Sequence, residues 1–305
     1  LSIKVSKEKI AARIAELKKE KKAIILAHNY QIGEVQDVAD YIGDSLGLSQ
    51  KSAQADAEII VFCGVHFMAE TAKILAPEKT ILIPEPKAGC PMADMLTASE
   101  LRDWKRNYPG RKVVCYVNTT AEVKAECDIC CTSSNAVKVV NSLDGDEVLF
   151  APDKNLAAYV ARHTRKKIIP WDGYCYVHRN IKARDIRERR NLHPDAEVWV
   201  HPECLPEVID LADKVLSTGK MVQEARKTRK KEFIIGTETG IIYRMKRENP
   251  TKNFYPARDR ALCFNMKKID LKKVLRSLEN IIYKVEIPLE ISQKARGAIE
   301  KMVEI

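Results

Sequence analysis

The stretch EVKAECDICCTSS, residues 122–134, decides how this chain is read. It holds three cysteines, and Cys127-x-x-Cys130 has the spacing of a zinc site or a redox dithiol. It also holds a second pattern: Glu-Val, four residues, Asp, a short apolar run, then a hydroxyl residue. Moved 85 positions along, that pattern meets itself. Glu122-Val123 falls on Glu207-Val208, Asp128 on Asp213 and Ser133 on Thr218. In the same register Cys90 meets Cys175, Pro109 meets Pro194, and the run from Glu147 meets the run from Glu232. Moved back 88 positions, it meets Glu34-Val35, Asp40 and Ser45. No gap is needed, so the chain reads as three copies of one unit. Convergence of unrelated α/β units on one pattern is the competing explanation.

The unit is an α/β unit. β-branched runs at Ala23–Ala27, Glu58–Cys63, Lys112–Val117, Glu147–Ala151, Glu197–Val200 and Glu232–Ile235 predict strands. They alternate with helical patterns at Ser6–Lys22, Ser99–Asn107, Asn155–His163, Lys182–Asn191 and Asp270–Ile282. Thr97-x-x-Glu100 is a capping box. Strand–helix alternation predicts parallel sheets. The fold expected is α/β, with three homologous αβα domains and short parallel sheets around a pseudo-threefold axis. The domain boundaries expected are 1–86 with 264–305, 87–171, and 172–263, with the active site at their common interface.

The chain has 305 residues and a net charge of +10. Its lysines and arginines are scattered, often beside glutamates, and no basic patch is interleaved with aromatics. That favours a solvated basic surface that attracts small anions over a nucleic-acid binder. No apolar run is long enough to span a bilayer, and no secretory-signal pattern is present. A cytoplasmic location is therefore expected, and with it nine cysteines free of a disulfide framework.

The repeat selects among those cysteines. Cys90 and Cys175 are equivalent, and Cys263 follows Cys175 by 88 positions, so each lies at a seam between units. Three units around one axis bring the three seam thiols together. Cys127, Cys130 and Cys131 have no cysteine counterparts, and their run reads as a buried short strand in which Cys is a small hydrophobe. Three thiolates without a fourth suit a cubane iron–sulfur cluster with one open iron, and a Cys₃ zinc site with water is the alternative.

Three further positions align. His28-Asn29-Tyr30, Tyr116-Val117-Asn118 and His201-Pro202-Glu203 fall at equivalent strand ends, where parallel sheets bind ligands. Ser45, Ser133 and Thr218 are each expected to open a helix and point a hydroxyl and free N–H groups at one cavity. A small substrate with several negative charges follows. Glu203 is the one carboxylate in the strand-end ring, and burial is expected to raise its pKa.

LAHNYQ, GDS, CPMADMLT, YVNTT, CTSSNAV, GYCYVH, VHPEC, STGKM, GTETG and CFNMKK, in this order, resemble the quinolinate synthase family over nearly the whole chain. The resemblance implies a [4Fe–4S] cluster on Cys90, Cys175 and Cys263. It implies condensation of iminosuccinate with dihydroxyacetone phosphate to quinolinate on the route to NAD. An aspartate oxidase or dehydrogenase is then the implied supplier of the imine. Substrate-binding positions fall on His28, Ser45, Tyr116, Val117, Asn118, Ser133, His201, Pro202, Glu203 and Thr218, with Tyr30 and His178 near the reacting groups. Tyr176 stands where the family often has Pro, and no C-terminal Cys-x-x-Cys is present. Glu203, Tyr30, His28 and His201 are the expected catalytic residues, with Glu203 as base. The alternatives are another [4Fe–4S] hydro-lyase acting on a small hydroxy acid, and a non-enzymatic electron carrier or nucleic-acid module.

Overall fold

The computed structural model describes residues 6–305. It contains three four-stranded parallel sheets. The first is built from β1 (Ala23–His28), β2 (Tyr41–Gly43), β3 (Ile59–Cys63) and β4 (Thr80–Leu82). The second has β5 (Lys112–Tyr116), β6 (Ile129–Cys131), β7 (Glu147–Ala151) and β8 (Lys167–Pro170). The third has β9 (Glu197–Val200), β10 (Lys214–Val215), β11 (Glu232–Gly236) and β12 (Asn253–Pro256). Within each sheet the order is second, first, third, fourth strand. Three identical topologies in chain order are what a tripled unit produces.

The central strands are apolar on both faces because helices cover both sides of a parallel sheet. Ile25, Leu26 and Ala27 of β1, Val113, Val114 and Cys115 of β5, and Val198, Trp199 and Val200 of β9 are all fully buried.

The aspartate of the repeat has one job in all three units. The backbone N–H of Ile25, Val113 and Val198 donates to the carboxylates of Asp40, Asp128 and Asp213 at 2.7, 2.8 and 2.7 Å. In return the N–H of each aspartate donates to the carbonyl of the same strand residue, at 2.9, 3.1 and 2.8 Å. This paired clamp docks the short second strand on the edge of the first, where two or three residues make too few ladder bonds alone. The repeated aspartate is thus a folding element, set by an unpaired edge N–H that needs an acceptor.

The predicted helices form at Lys7–Glu20, Ala98–Asn107, Lys154–Ala161, Ala183–Leu192 and Leu271–Asn280. Ser6 and Asp270 cap the first and last of these, and the Thr97–Glu100 capping box is formed. Ile10, Ile14 and Leu17 line one face of the first helix, which packs against Leu271–Asn280. Each such buried side chain contributes about 1.5–3 kcal/mol. The last helix, Leu289–Glu304, crosses back to lie against β6 and the helices His66–Leu75 and Ala121–Lys124. No helix among the described residues is long and apolar enough to cross a membrane.

Candidate active site

The carboxyl ends of β1, β5 and β9 meet at one cavity. His28 and Tyr30, Tyr116 and Asn118, and His201 and Glu203 all line it. The middle residues of the tripeptides do not: Val117 and Pro202 are buried but absent from the lining. Each tripeptide leaves its strand in a tight turn or bend, marked by the N–H of Gln31, Thr119 and Cys204 donating to the carbonyls of His28, Val117 and His201 at 3.0, 2.8 and 3.0 Å. Asn29, also buried, uses its amide to donate to the Thr218 hydroxyl at 3.0 Å and accepts from Arg244 at 2.8 Å.

The two histidines are held alike. The N–H of Tyr30 donates to Nδ1 of His28 at 3.2 Å, and the N–H of Glu203 donates to Nδ1 of His201 at 3.4 Å. An accepting Nδ1 puts the ring proton on Nε2. His201 Nε2 then donates to the Ser133 hydroxyl at 3.1 Å. Burial pushes His28 down to about 4 and His201 down to about 3. Both are therefore neutral N–H donors near pH 7, suited to bind oxygen atoms rather than to supply a positive charge.

Glu203 and His178 are both almost fully buried, with Nδ1 and Oε2 2.6 Å apart. The rings of His178 and His201 stack at 4.6 Å. The expectation of a raised Glu203 pKa is corrected. Burial does push the carboxyl up, but His178 and His201, together with hydrogen bonds to His178 and Tyr116, outweigh it and hold the group at about 2. Glu203 is a carboxylate tuned by its neighbours, and its Oε1 has no hydrogen-bond partner. On the far side of His178, Nε2 lies 2.8 Å from the Thr237 hydroxyl, which lies 2.6 Å from the Tyr30 hydroxyl. Burial raises the Tyr30 pKa, so this phenol keeps its proton. A continuous polar chain thus runs Tyr30–Thr237–His178–Glu203.

Ser45, Ser133 and Thr218 all line the cavity, with one correction to their local structure. Ser45 and Thr218 are the first residues of the helices Ser45–Gln54 and Thr218–Lys227, but the caps are the residues before them, Asp44 and Ser217. Ser133 does not open a helix. The helix Ala136–Ser142 starts three residues later, because Asn135 Oδ1 accepts from the Thr132 N–H at 2.8 Å and forms a turn first. The caps join across units. The Ser134 hydroxyl donates to Asp44 at 2.9 Å and can accept from the Ser217 hydroxyl, 2.8 Å away.

Cys90, Cys175 and Cys263 line the same cavity, and their backbone settings match in all three units. The N–H of His66, Lys154 and Thr239 donates to the carbonyls of Ala88, Gly173 and Ala261 at 2.8, 2.9 and 3.0 Å. Each acceptor lies two residues before its cysteine. The carbonyl of each cysteine then accepts from the fourth residue on, Asp94, Arg179 and Lys267, at 3.2, 2.9 and 3.2 Å. Each thiol so begins a helical turn. Backbone N–H groups of that turn, from Ala93, His178 and Met266, oppose the rise in thiol pKa that burial causes. N–H donors aimed at sulfur are what a thiolate ligand needs. The three residues fit a cubane cluster. Cys130 and Cys131 lie instead in β6, fully buried, with Cys127 beside them at 3.8 Å from Cys130.

A second grouping shares Cys175. Ligand atoms of Cys175, His178 and Glu203 lie within 4.8 Å of one another and have the geometry to hold a single metal ion. Sequence reading did not find Asp44, Ser134 or Thr237. Asp44 was within reach, since it stands with Thr132 and Ser217 just before the aligned hydroxyls. Thr237 has no polar counterpart, because Pro152 and Gly64 occupy its place in the other units.

Parallel sheets whose strand ends converge on buried imidazoles, a carboxylate and three cavity-lining thiols define an α/β enzyme. The family model described as quinolinate synthetase A protein matches residues 12–304. The chain is 61% identical over 298 residues to the quinolinate synthase of Dehalococcoides mccartyi strain 195, covering 98% of this chain and 99% of that one. It is 53% identical to quinolinate synthase 2 of Methanosarcina acetivorans, covering 97% and 96%. It is 52% identical to the quinolinate synthase of Pyrococcus abyssi, covering 97% and 99%. The chain belongs to the quinolinate synthetase A family.

Proposed function

We propose that this chain condenses iminosuccinate with dihydroxyacetone phosphate to give quinolinate, phosphate and water. The activity is that of its family; the residue roles are read from the cavity. The observation that carries the reading is the matched setting of Cys90, Cys175 and Cys263 around a cavity lined by the three strand ends. Residues 1–86 with 264–305, 87–171 and 172–263 act as three units about a pseudo-threefold axis, and the cavity lies at their common interface. Identical strand order and identical aspartate clamps support this division.

The three cysteines would hold a [4Fe–4S] cluster, which when bound offers an open iron as Lewis acid to a hydroxyl or carbonyl oxygen. The remaining groups bind and move protons. Ser45, Ser133 and Thr218 donate to substrate carboxylate and phosphate oxygens. Nε2–H of His28 and the side-chain NH₂ of Asn118 donate to a carboxylate and orient it. Glu203 takes a proton from the ring being formed, at its unpartnered Oε1. His178 and His201 steady the carboxylate, and Tyr116 donates to it. Tyr30 keeps its proton for a leaving hydroxyl, relayed by Thr237. Aromatisation by loss of water needs this pairing of acid and base.

Nine free cysteines suit a reducing cytoplasm. An aspartate oxidase or dehydrogenase there would supply the imine. Anaerobic purification tests the proposal, with iron and sulfide counted and the product identified. Four irons and four sulfides with a pyridine dicarboxylate support it. One zinc per chain favours the Cys175–His178–Glu203 grouping, and a product without a pyridine ring points to a different hydro-lyase.

A further inference from the structure

Two of the three cysteine loops carry an extra hold. Asp153 and Glu238 are equivalent in the repeat, each two residues beyond the end of its strand, β7 or β11. Both are fully buried, and each uses both carboxylate oxygens. Oδ1 of Asp153 accepts from the N–H of Asn155 and of Leu156, both at 2.8 Å, and Oδ2 accepts from the Cys175 N–H at 3.1 Å. Oε2 of Glu238 accepts from the Gly240 N–H at 2.7 Å, and Oε1 accepts from the Cys263 N–H at 3.1 Å. Lys267 lies 2.9 Å from Oε1 and balances the charge.

In each case one oxygen is anchored in the strand-end loop and the other holds a cysteine amide. A side-chain amide cannot replace this, because it has one acceptor and would turn its NH₂ toward an N–H donor. The loop before Cys175 is pressed close to make the bond: a Cβ on Gly173 would lie 2.4 Å from the Pro152 carbonyl. In the first unit the equivalent residue is Val65, which has no acceptor to offer Cys90.

We propose that Asp153 and Glu238 are positioning residues for Cys175 and Cys263, holding these two loops so that their thiols face the cavity before iron arrives. Cys90 relies on its backbone bonds alone. The proposal rests on the reading of the three cysteines as cluster ligands.

The simpler explanation is that Asp153 only caps the helix Lys154–Ala161. Asp153→Ser separates the two, because serine keeps the cap but is too short to reach Cys175 as well. In iron-free D153S protein the Cys175 amide should exchange with deuterium faster than in the unmodified protein, while the Cys90 amide is unchanged. In reconstituted D153S protein, iron should be lost to a chelator about 10-fold faster or more, the usual effect of removing a ligand's outer partner. Glu238→Gln, which preserves size, should do the same at Cys263. It carries the test alone should D153S not fold. Unmodified protein that takes up no iron overturns the ligand reading and the positioning role with it. Unmodified protein that holds iron, with variants that exchange and hold iron equally well, overturns the positioning role alone.

Discussion

Nδ1 of His178 lies 2.6 Å from Oε2 of Glu203, with both side chains shielded from solvent. The carboxylate stays ionised here beside His178, and its unpartnered Oε1 has free lone pairs to receive a proton from a bound ligand. Glu203→Gln preserves size and removes that capacity. Turnover should fall about 10²-fold or more, with the iron content and visible absorption of the cluster retained. A Gln variant that forms quinolinate near the unmodified rate would move the proton chemistry to Tyr30 and His28.

The cysteine assignment is checked by substitution. Cys90→Ser, Cys175→Ser and Cys263→Ser should each abolish the cluster's visible absorption and the activity. Cys127→Ser, Cys130→Ser and Cys131→Ser should leave most of both. Loss of the cluster in the Cys130→Ser protein, with its survival in Cys175→Ser, would refute the repeat argument.

The hydroxyls should act on binding. Ser45→Ala, Ser133→Ala or Thr218→Ala removes one charge-assisted hydrogen bond, worth roughly 1–2 kcal/mol. The KM for one or both substrates should rise about 5- to 30-fold, with kcat less affected. An unchanged KM in all three variants contradicts an anion-binding role.

Acid should destabilise the fold through the strand-end histidines. His28 and His201 are neutral in the folded protein, with pKa values of about 4 and about 3. In the unfolded chain each takes up a proton near pH 6.5. As pH falls below about 6.5 the unfolded chain gains protons that the fold cannot, so stability drops until the folded pKa is reached. For His28 alone the loss is about 3 kcal/mol by pH 4. Urea midpoints of iron-free protein between pH 7.5 and 4.5 measure it. The decline should be shallower in His28→Gln protein, and equal slopes would contradict a buried neutral histidine.

The aspartate clamp predicts a fold defect. Asp40→Ala, Asp128→Ala and Asp213→Ala each leave the first-strand N–H of their unit without its acceptor. Each should lower stability by about 1–3 kcal/mol without altering the cluster ligands. A urea midpoint unchanged in all three would mean that water replaces the carboxylate at no cost.

Much of this architecture is visible in the chain because it is written three times. The central strands are apolar runs whose helices cover both faces, and the short strands β2, β6 and β10 follow from the repeated aspartate. The outer strands β4, β8 and β12 carry three or four residues each, too few to show a period, and were not predicted. Thr237 was equally hidden, since nothing local marks a threonine that matters through Tyr30 and His178, 207 and 59 residues away.

The sequence by itself determined the tripled unit, the seam cysteines and the polar strand ends, because each depends on residue type and spacing along one chain. Tertiary structure alone decided the charge of Glu203. Its pKa is a balance between burial, which raises it, and the imidazoles and phenol around it, which lower it. Tyr116 comes from another unit, and the balance cannot be struck until the fold places that phenol and the imidazoles beside the carboxylate. The same holds for Asp153 and Glu238: each is one acidic residue among 42 in the chain, and becomes a partner of a cysteine only when its strand end closes on the neighbouring loop.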